Sequence, residues 1–225
     1  MFRTLSPILL LLVAFAVVAA PVKEKKAQII KGWGTVIDPD RDCKVTQDEG
    51  IVTITVPTTC HDLTYFEDGT KRNAPRILQD VKGDFRVQVK VRVFPLPQEN
   101  TSSSGRFSFV SSGLVMWIDD KNFLRLERAA EGSSQGPYIR MERFENGGTV
   151  TNKAANPSGN NDTWLRIDYK DGKLTYSFSE DGKEWTELHT EELQLPEKVK
   201  VGVYAINTTT REFAPALEKF KVEKK

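Results

Sequence analysis

The chain is poor in the residues that many active sites need, and each shortage removes a class of function. It has two histidines, His61 and His189, far apart among its 225 residues, too few for a histidine-based metal centre. It offers no obvious nucleophile held on a strained strand-to-helix turn. It has no E-x-D-x-E stretch, the acidic strand expected of a jelly-roll glucanase. No segment keeps a helical apolar period between caps, which excludes a helical architecture. Charge of one sign is missing as well. Among the first 20 residues only Arg3 is charged, and without them 31 basic residues face 31 acidic ones. That balance argues against nucleic acid, and without a polybasic block anionic lipid is not a partner either.

The chain opens MFRTLSPILLLLVAFAVVAA. Arg3 precedes an apolar run from Ile8 to Val18, too short to span a bilayer comfortably, and Ala19 and Ala20 end it. This is the pattern of a secretory signal over residues 1–20, with cleavage after Ala19 or Ala20, the second disfavoured by Pro21. The expected localisation is secreted or periplasmic. A charged leader, 21–31, then precedes a single domain over 32–225, with no fixed-period repeat and no linker. An exported chain permits a Cys43–Cys60 disulfide. A direct hairpin around Asp48-Glu49-Gly50 places Cys43 near Thr55, however, and the pairing stays open on sequence.

What the chain has in quantity is two-residue alternation. In DFRVQVKVRVF (84–94), Phe85, Val87, Val89, Val91 and Val93 point one way, and the polar residues between them point the other. IVTITVP, KLTYSFS and KVKVGVYAIN repeat the pattern. Turn signals at Asp48-Glu49-Gly50, Asn146-Gly147-Gly148, Lys170-Asp171-Gly172 and Glu180-Asp181-Gly182 separate the strands. Many strands, short turns and no helix predict an all-β sandwich or barrel.

Six segments in order, KGWGTVIDPDRDCKV, TVPTTCHDL, NAPRILQDVKGDFRVQVKV, SGLVMWIDDKNFLRLER, WLRIDYKDGKLTYSFSEDGKEW and VGVYAINTTTREF, resemble the concanavalin A-like family of unknown function (domain of unknown function 1349) that includes the regulation-of-enolase protein. The resemblance runs from about Gly32 to Val222. It implies a two-sheet antiparallel jelly-roll of the lectin and glucanase type. It implies no activity, since that fold hosts lectins, hydrolases and plain binding modules alike.

Candidate residues fall into four groups. In DPDRDCKVTQDE, Asp38, Asp40 and Asp42 have the spacing of a calcium loop, but Cys43 stands where an EF-hand needs glycine, and strands flank it. An Asp/Pro turn is the plainer reading, with calcium at these aspartates as the one cofactor to consider. His61 and Asp62 lie in the longest irregular region. If 130–137 closes a hairpin, Arg125 faces Glu142, Glu127 faces Arg140 and Phe123 faces Phe144, a ladder of opposite charges that Arg166 would extend. Of the tryptophans, Trp117 is the expected cleft aromatic, with Tyr65 and Tyr138 also available. Arginines opposite Glu127 and Glu142 would keep both carboxyls ionised, whereas a glycosidase needs one raised as an acid. No catalytic residue is therefore assigned. The expected function is a non-catalytic module that binds carbohydrate or another extracellular ligand on one sheet face. A glycan hydrolase and a structural or protein-interaction module are the alternatives. The sequons at Asn100, Asn161 and Asn207 matter only where the host glycosylates secreted proteins.

Overall fold

The computed structural model describes residues 27–64, 72–98, 100–132, 136–156 and 161–225. The expected export signal, most of the charged leader and Tyr65 lie outside them. Among the described residues every regular element is a strand, and no helix is long and apolar enough to cross a membrane.

The strands form two antiparallel sheets. The larger has eight, in the order β1 (Ile29–Ile30), β2 (Gly34–Ile37), β5 (Arg76–Lys82), β14 (Lys198–Asn207), β7 (Phe109–Trp117), β8 (Phe123–Glu131), β9 (Tyr138–Glu145) and β10 (Gly148–Ala155). The smaller has seven: β13 (Thr186–Glu192), β12 (Lys173–Ser179), β11 (Thr163–Lys170), β6 (Phe85–Val91), β15 (Ala216–Lys224), β4 (Ile51–Thr55) and β3 (Lys44–Asp48). This is the two-sheet jelly-roll sandwich that the alternation predicts. It starts slightly earlier than Gly32, because Ile29 and Ile30 pair with β2 and Ile30 is buried.

Three of the predicted turns close two-residue hairpins. Glu49-Gly50, Asn146-Gly147 and Asp171-Gly172 all have positive φ at both central residues, and Asp48 pairs with Ile51, Glu145 with Gly148 and Lys170 with Lys173. Such turns match the right-handed twist of the strands they join. β7 runs unbroken through Ser111 and Ser112, which continue the ladder to β8 and β14.

Alternation places the main core between the sheets. Val87, Val89 and Val91 of β6 meet Leu114, Met116, Leu124 and Leu126 of the larger sheet, all buried. The outer face of the larger sheet is buried too: all nine residues of β7 are buried, and a second apolar cluster there includes Leu63, Val115, Trp117, Phe123, Phe144 and Tyr204. Chain from the segment between β4 and β5 supplies Leu63 and Ala74 to this cluster. A jelly-roll sheet that is usually half wet is here covered on both sides.

Asn207 ends β14 fully buried, with its side-chain amide donating to the carbonyls of Pro57 and Arg211 at 2.7 Å each. Its sequon is therefore closed to glycan, whereas Asn100 and Asn161 are exposed.

Close approach of β14 and β5 depends on Gly202. A Cβ there would lie 1.8 Å from the Ile77 carbonyl oxygen. Gly202→Ala is expected to cost about 2–3 kcal/mol by overpacking, read as a lower midpoint in urea unfolding. An unchanged midpoint would show that the strands separate freely here.

Candidate functional site

The register of β8 against β9 pairs Arg125 with Glu142, Glu127 with Arg140 and Phe123 with Phe144, as the sequence predicts. These side chains point outward from the sandwich, into the covered outer face. Arg125 Nε donates to Glu142 Oε2 at 2.9 Å, and Arg140 Nε donates to Glu127 Oε1 at 2.9 Å. Along each strand, approaches of 3.6 Å link Arg125 to Glu127 and Arg140 to Glu142. The four charges thus close a ring of alternating sign. Arg125 is 2% exposed and Glu127 is fully buried.

The surroundings satisfy most of the remaining polar atoms. The Tyr204 hydroxyl donates to Glu127 Oε2, and Asn152 donates to Glu142 Oε1 at 3.3 Å. Burial pushes the Glu127 carboxyl up, but Arg125 and Arg140 outweigh it and hold the group below its ordinary value. Burial beside Glu127 drives the Tyr204 phenol well up, which keeps it a donor. One donor is unspent: Arg125 Nη1 is buried and has no hydrogen-bond partner.

Beside the ring opens a cleft of about 260 Å3, lined among others by Arg106, Phe107, Arg125, Arg140, Glu142 and Phe144. Arg106 on its wall is held by pairing with the buried Asp62. The Asp62 Oδ1 oxygen is also held by the backbone N–H groups of Leu63 and Thr64, at 2.6 and 2.9 Å. Phe107 stands at the rim, 77% exposed. Sequence reasoning missed Arg106 and Phe107. The alternation of Phe107 and Phe109 in RFSFV was a signal for the second, but nothing local told a rim aromatic from a core one.

Other expected residues lie elsewhere. Trp117 is not an open cleft aromatic. It is buried, stacked on Phe123 at 4.8 Å, and capped by the Arg76 guanidinium at 4.1 Å from its ring. Phe123 stacks in turn on Phe144 at 4.4 Å. Arg166 does not extend the ladder. It sits on β11 in the other sheet, opposite Gln88 and Ser177, with its guanidinium over Trp185 at 3.4 Å. His61 and Asp62 diverge, as neighbours in extended chain do: Asp62 pairs with Arg106, whereas His61 turns to Asp42, with Nε2 2.9 Å from Oδ1.

The three aspartates do not share a centre. Asp38 accepts the backbone N–H groups of Arg41 and Cys43 at 3.1 and 3.0 Å, which makes the turn. Asp40 accepts from Asn73 at 2.7 Å. Only Asp42 turns to His61. Cys43 and Cys60 are free thiols: the first lies 3.7 Å from Asp42 Oδ1, and the second faces Ser103 and Arg106.

Comparison with known proteins places this geometry. A family profile described as "Protein of unknown function (DUF1349)" matches residues 38–225. No curated protein matches. Among solved structures, a functionally unknown protein from Saccharomyces cerevisiae superposes with a TM-score of 0.67 at 20% identity, over 86% of this chain and 97% of that one. The GH43 protein BlXynB from Bacillus licheniformis gives 0.64 at 14% identity, over 88% of this chain but 37% of that one. A legume lectin-like domain from Entamoeba histolytica gives 0.53 at 9% identity, over 84% and 89%. At these identities the likeness is one of fold, and that fold is concanavalin A-like.

Glu127 links the ring to acid stability. Its folded pKa lies below the ordinary 4.5, so its stabilisation is present above that pH and is lost as pH falls toward the folded value. Glu127→Gln should cost about 3–5 kcal/mol at pH 7 by leaving two guanidinium groups without their carboxylate. Its unfolding free energy should then fall less steeply below pH 4.5 than that of the native chain. Parallel acid profiles in the two chains would show that the ring does not depend on this charge.

Proposed function

We propose that this chain, which belongs to the DUF1349 family, is an exported, non-catalytic module that binds carbohydrate in the cleft beside the charge ring. The observation that carries the reading is the cleft itself. Its polar wall is held by pairing before any ligand arrives, it keeps an unspent donor in Arg125 Nη1, and it has an exposed aromatic at its rim. A sugar presents hydroxyls that both donate and accept, and C–H faces that pack on aromatic rings. Guanidinium and carboxylate groups meet the first need, and Phe107 meets the second. Preorganised groups bind at a low ordering cost. The lectin-like domain and the GH43 protein that share this fold accord with a saccharide ligand.

Catalysis is disfavoured by the same pairing. A glycosidase needs one carboxyl kept protonated as a general acid. Here Glu127 is held ionised by two arginines, and Glu142 is tied to Arg125. If a protein partner occupied the cleft instead, Phe107 would be its anchor, and no saccharide would compete.

The test is a binding screen of the purified chain against a broad panel of polysaccharides and glycans, with release of reducing ends followed on the same panel. Saturable binding to one glycan class without release is expected. Phe107→Ala should weaken it about tenfold, roughly 1.4 kcal/mol, while leaving stability within about 0.5 kcal/mol, as for an exposed position. Absence of binding across the panel would overturn the reading. Release of reducing ends that disappears in Glu142→Gln would replace it with hydrolysis.

Export has its own readout. The mature protein recovered outside the cytoplasm should begin at Ala20 or Pro21, as measured by intact mass. A cytoplasmic chain that retains Met1 to Ala20 would refute export.

A further inference from the structure

Asp42 and Cys43 lead into β3, and His61 lies between β4 and β5, yet Asp42 Oδ1, Cys43 Sγ and His61 Nε2 all lie within 4.8 Å of one another. The charge ring and the cleft use none of these three groups.

The imidazole is fixed from several sides. His61 is fully buried. Its backbone N–H donates to the Asn207 carbonyl at 2.8 Å, and its own carbonyl accepts the Asn207 N–H at 3.1 Å. His61 Nδ1 lies 2.9 Å from the Thr59 carbonyl oxygen. A carbonyl can only accept, so Nδ1 carries the hydrogen, and the donor lone pair of the neutral ring is on Nε2. A backbone carbonyl fixing the far nitrogen in this way is how ligating histidines are oriented.

Nε2 then points at Asp42 Oδ1, 2.9 Å away, and that oxygen is itself an acceptor. Two acceptors facing at this distance require a positive species at the contact. The thiol of Cys43 is 3.7 Å from the same oxygen. A divalent cation held among these groups would meet that requirement.

We infer that Asp42, Cys43 and His61 form a binding site for a divalent transition metal, with zinc the best match to the donors. A thiolate and an imidazole suit zinc and do not suit calcium or magnesium, which take oxygen ligands. Zinc bonds of about 2.0–2.3 Å in a tetrahedral site place nitrogen and oxygen ligands about 3.4 Å apart, and sulfur and oxygen about 3.6 Å apart. The present separations of 2.9 and 3.7 Å come within half an ångström or so of both. The side chain of Asp42 is 41% exposed, so the fourth position opens to solvent and is left to water. The metal would fasten the start of β3 to the segment that, one residue later, holds the cleft residue Arg106 through Asp62.

The test uses the purified chain, stripped with chelator, kept reduced with a phosphine and titrated with cobalt(II) as a spectroscopic probe, followed by displacement with zinc. One equivalent of cobalt should produce a sulfur-to-cobalt charge-transfer band that zinc abolishes. The band should vanish in Cys43→Ser and persist in Cys60→Ser. Asp42→Asn, at a half-exposed position where folding is not at stake, should keep the band but weaken affinity at least about tenfold, the scale seen even for the outer partners of metal ligands. Zinc should also raise the melting temperature of the native chain and leave that of Cys43→Ser unchanged. Failure to take up cobalt would overturn the inference and identify the positive species at the His61–Asp42 contact as a proton alone. A band that survives in Cys43→Ser, that depends on Cys60, or whose affinity is unmoved in Asp42→Asn would overturn it as well.

Discussion

Four charges buried side by side on a sheet face set the terms for the rest of this molecule. Removing a carboxylate or a guanidinium from water costs several kcal/mol, and their attraction offsets this only when the geometry is close and the other polar atoms are satisfied. Arg125, Glu142, Arg140 and Glu127 meet that condition as a closed ring, with Tyr204 and Asn152 supplying further hydrogen bonds. The ring in turn demands one strand register. A slip of one residue between β8 and β9 would turn Leu124 and Leu126 outward and drive the charges into the apolar core. Patterning on the inner face and charge pairing on the outer face thus enforce the same alignment.

The ring also demands a cover. Asp62 comes from the β4–β5 connection and Arg106 from the chain before β7, and their ion pair closes over the larger sheet beside the ring. The stacked rings of Trp117, Phe123 and Phe144 extend the covered face as a dry strip. The cleft is lined by Arg125, Arg140 and Glu142 of the ring and by Phe144 of this strip, so its walls are rigid for the same reasons that the sheet is stable. On the smaller sheet the outward pairs are wetter: Arg86 with Asp168, and Lys90 with Asp162 and Glu218, are partly exposed. Pairs of that kind contribute little, and that face carries no comparable constraint.

The unspent donor, the rim aromatic and the ionised carboxylates together favour holding a polar ligand over cleaving one. The Asp42–His61 contact is separate in chemistry but close in the chain to Asp62.

Much of this was legible from residue order. Alternation in β4, β6, β12 and β14 marked the strands and their inward faces. Asp-Gly and Asn-Gly pairs marked hairpins, and a short β8–β9 connection was enough to align Arg125 with Glu142 and Glu127 with Arg140. Such features are local, and a period of two with a tight turn permits few alternatives. The sequence by itself therefore determined the all-β class, most inward residues and the pairing of strands joined by hairpins, although Val93, past the end of β6, is 48% exposed. Only the tertiary structure decided which sheet a strand joins, which moved Arg166 to the opposite layer. It also decided that the polar face is covered, which buried Trp117 and Asn207, and that Cys43 faces Asp42 and His61 while Cys60 faces Ser103 and Arg106. Those outcomes depend on where long connections fold back over a sheet, and alternation is blind to that because an outward residue has the same place in the period whether water or protein lies above it.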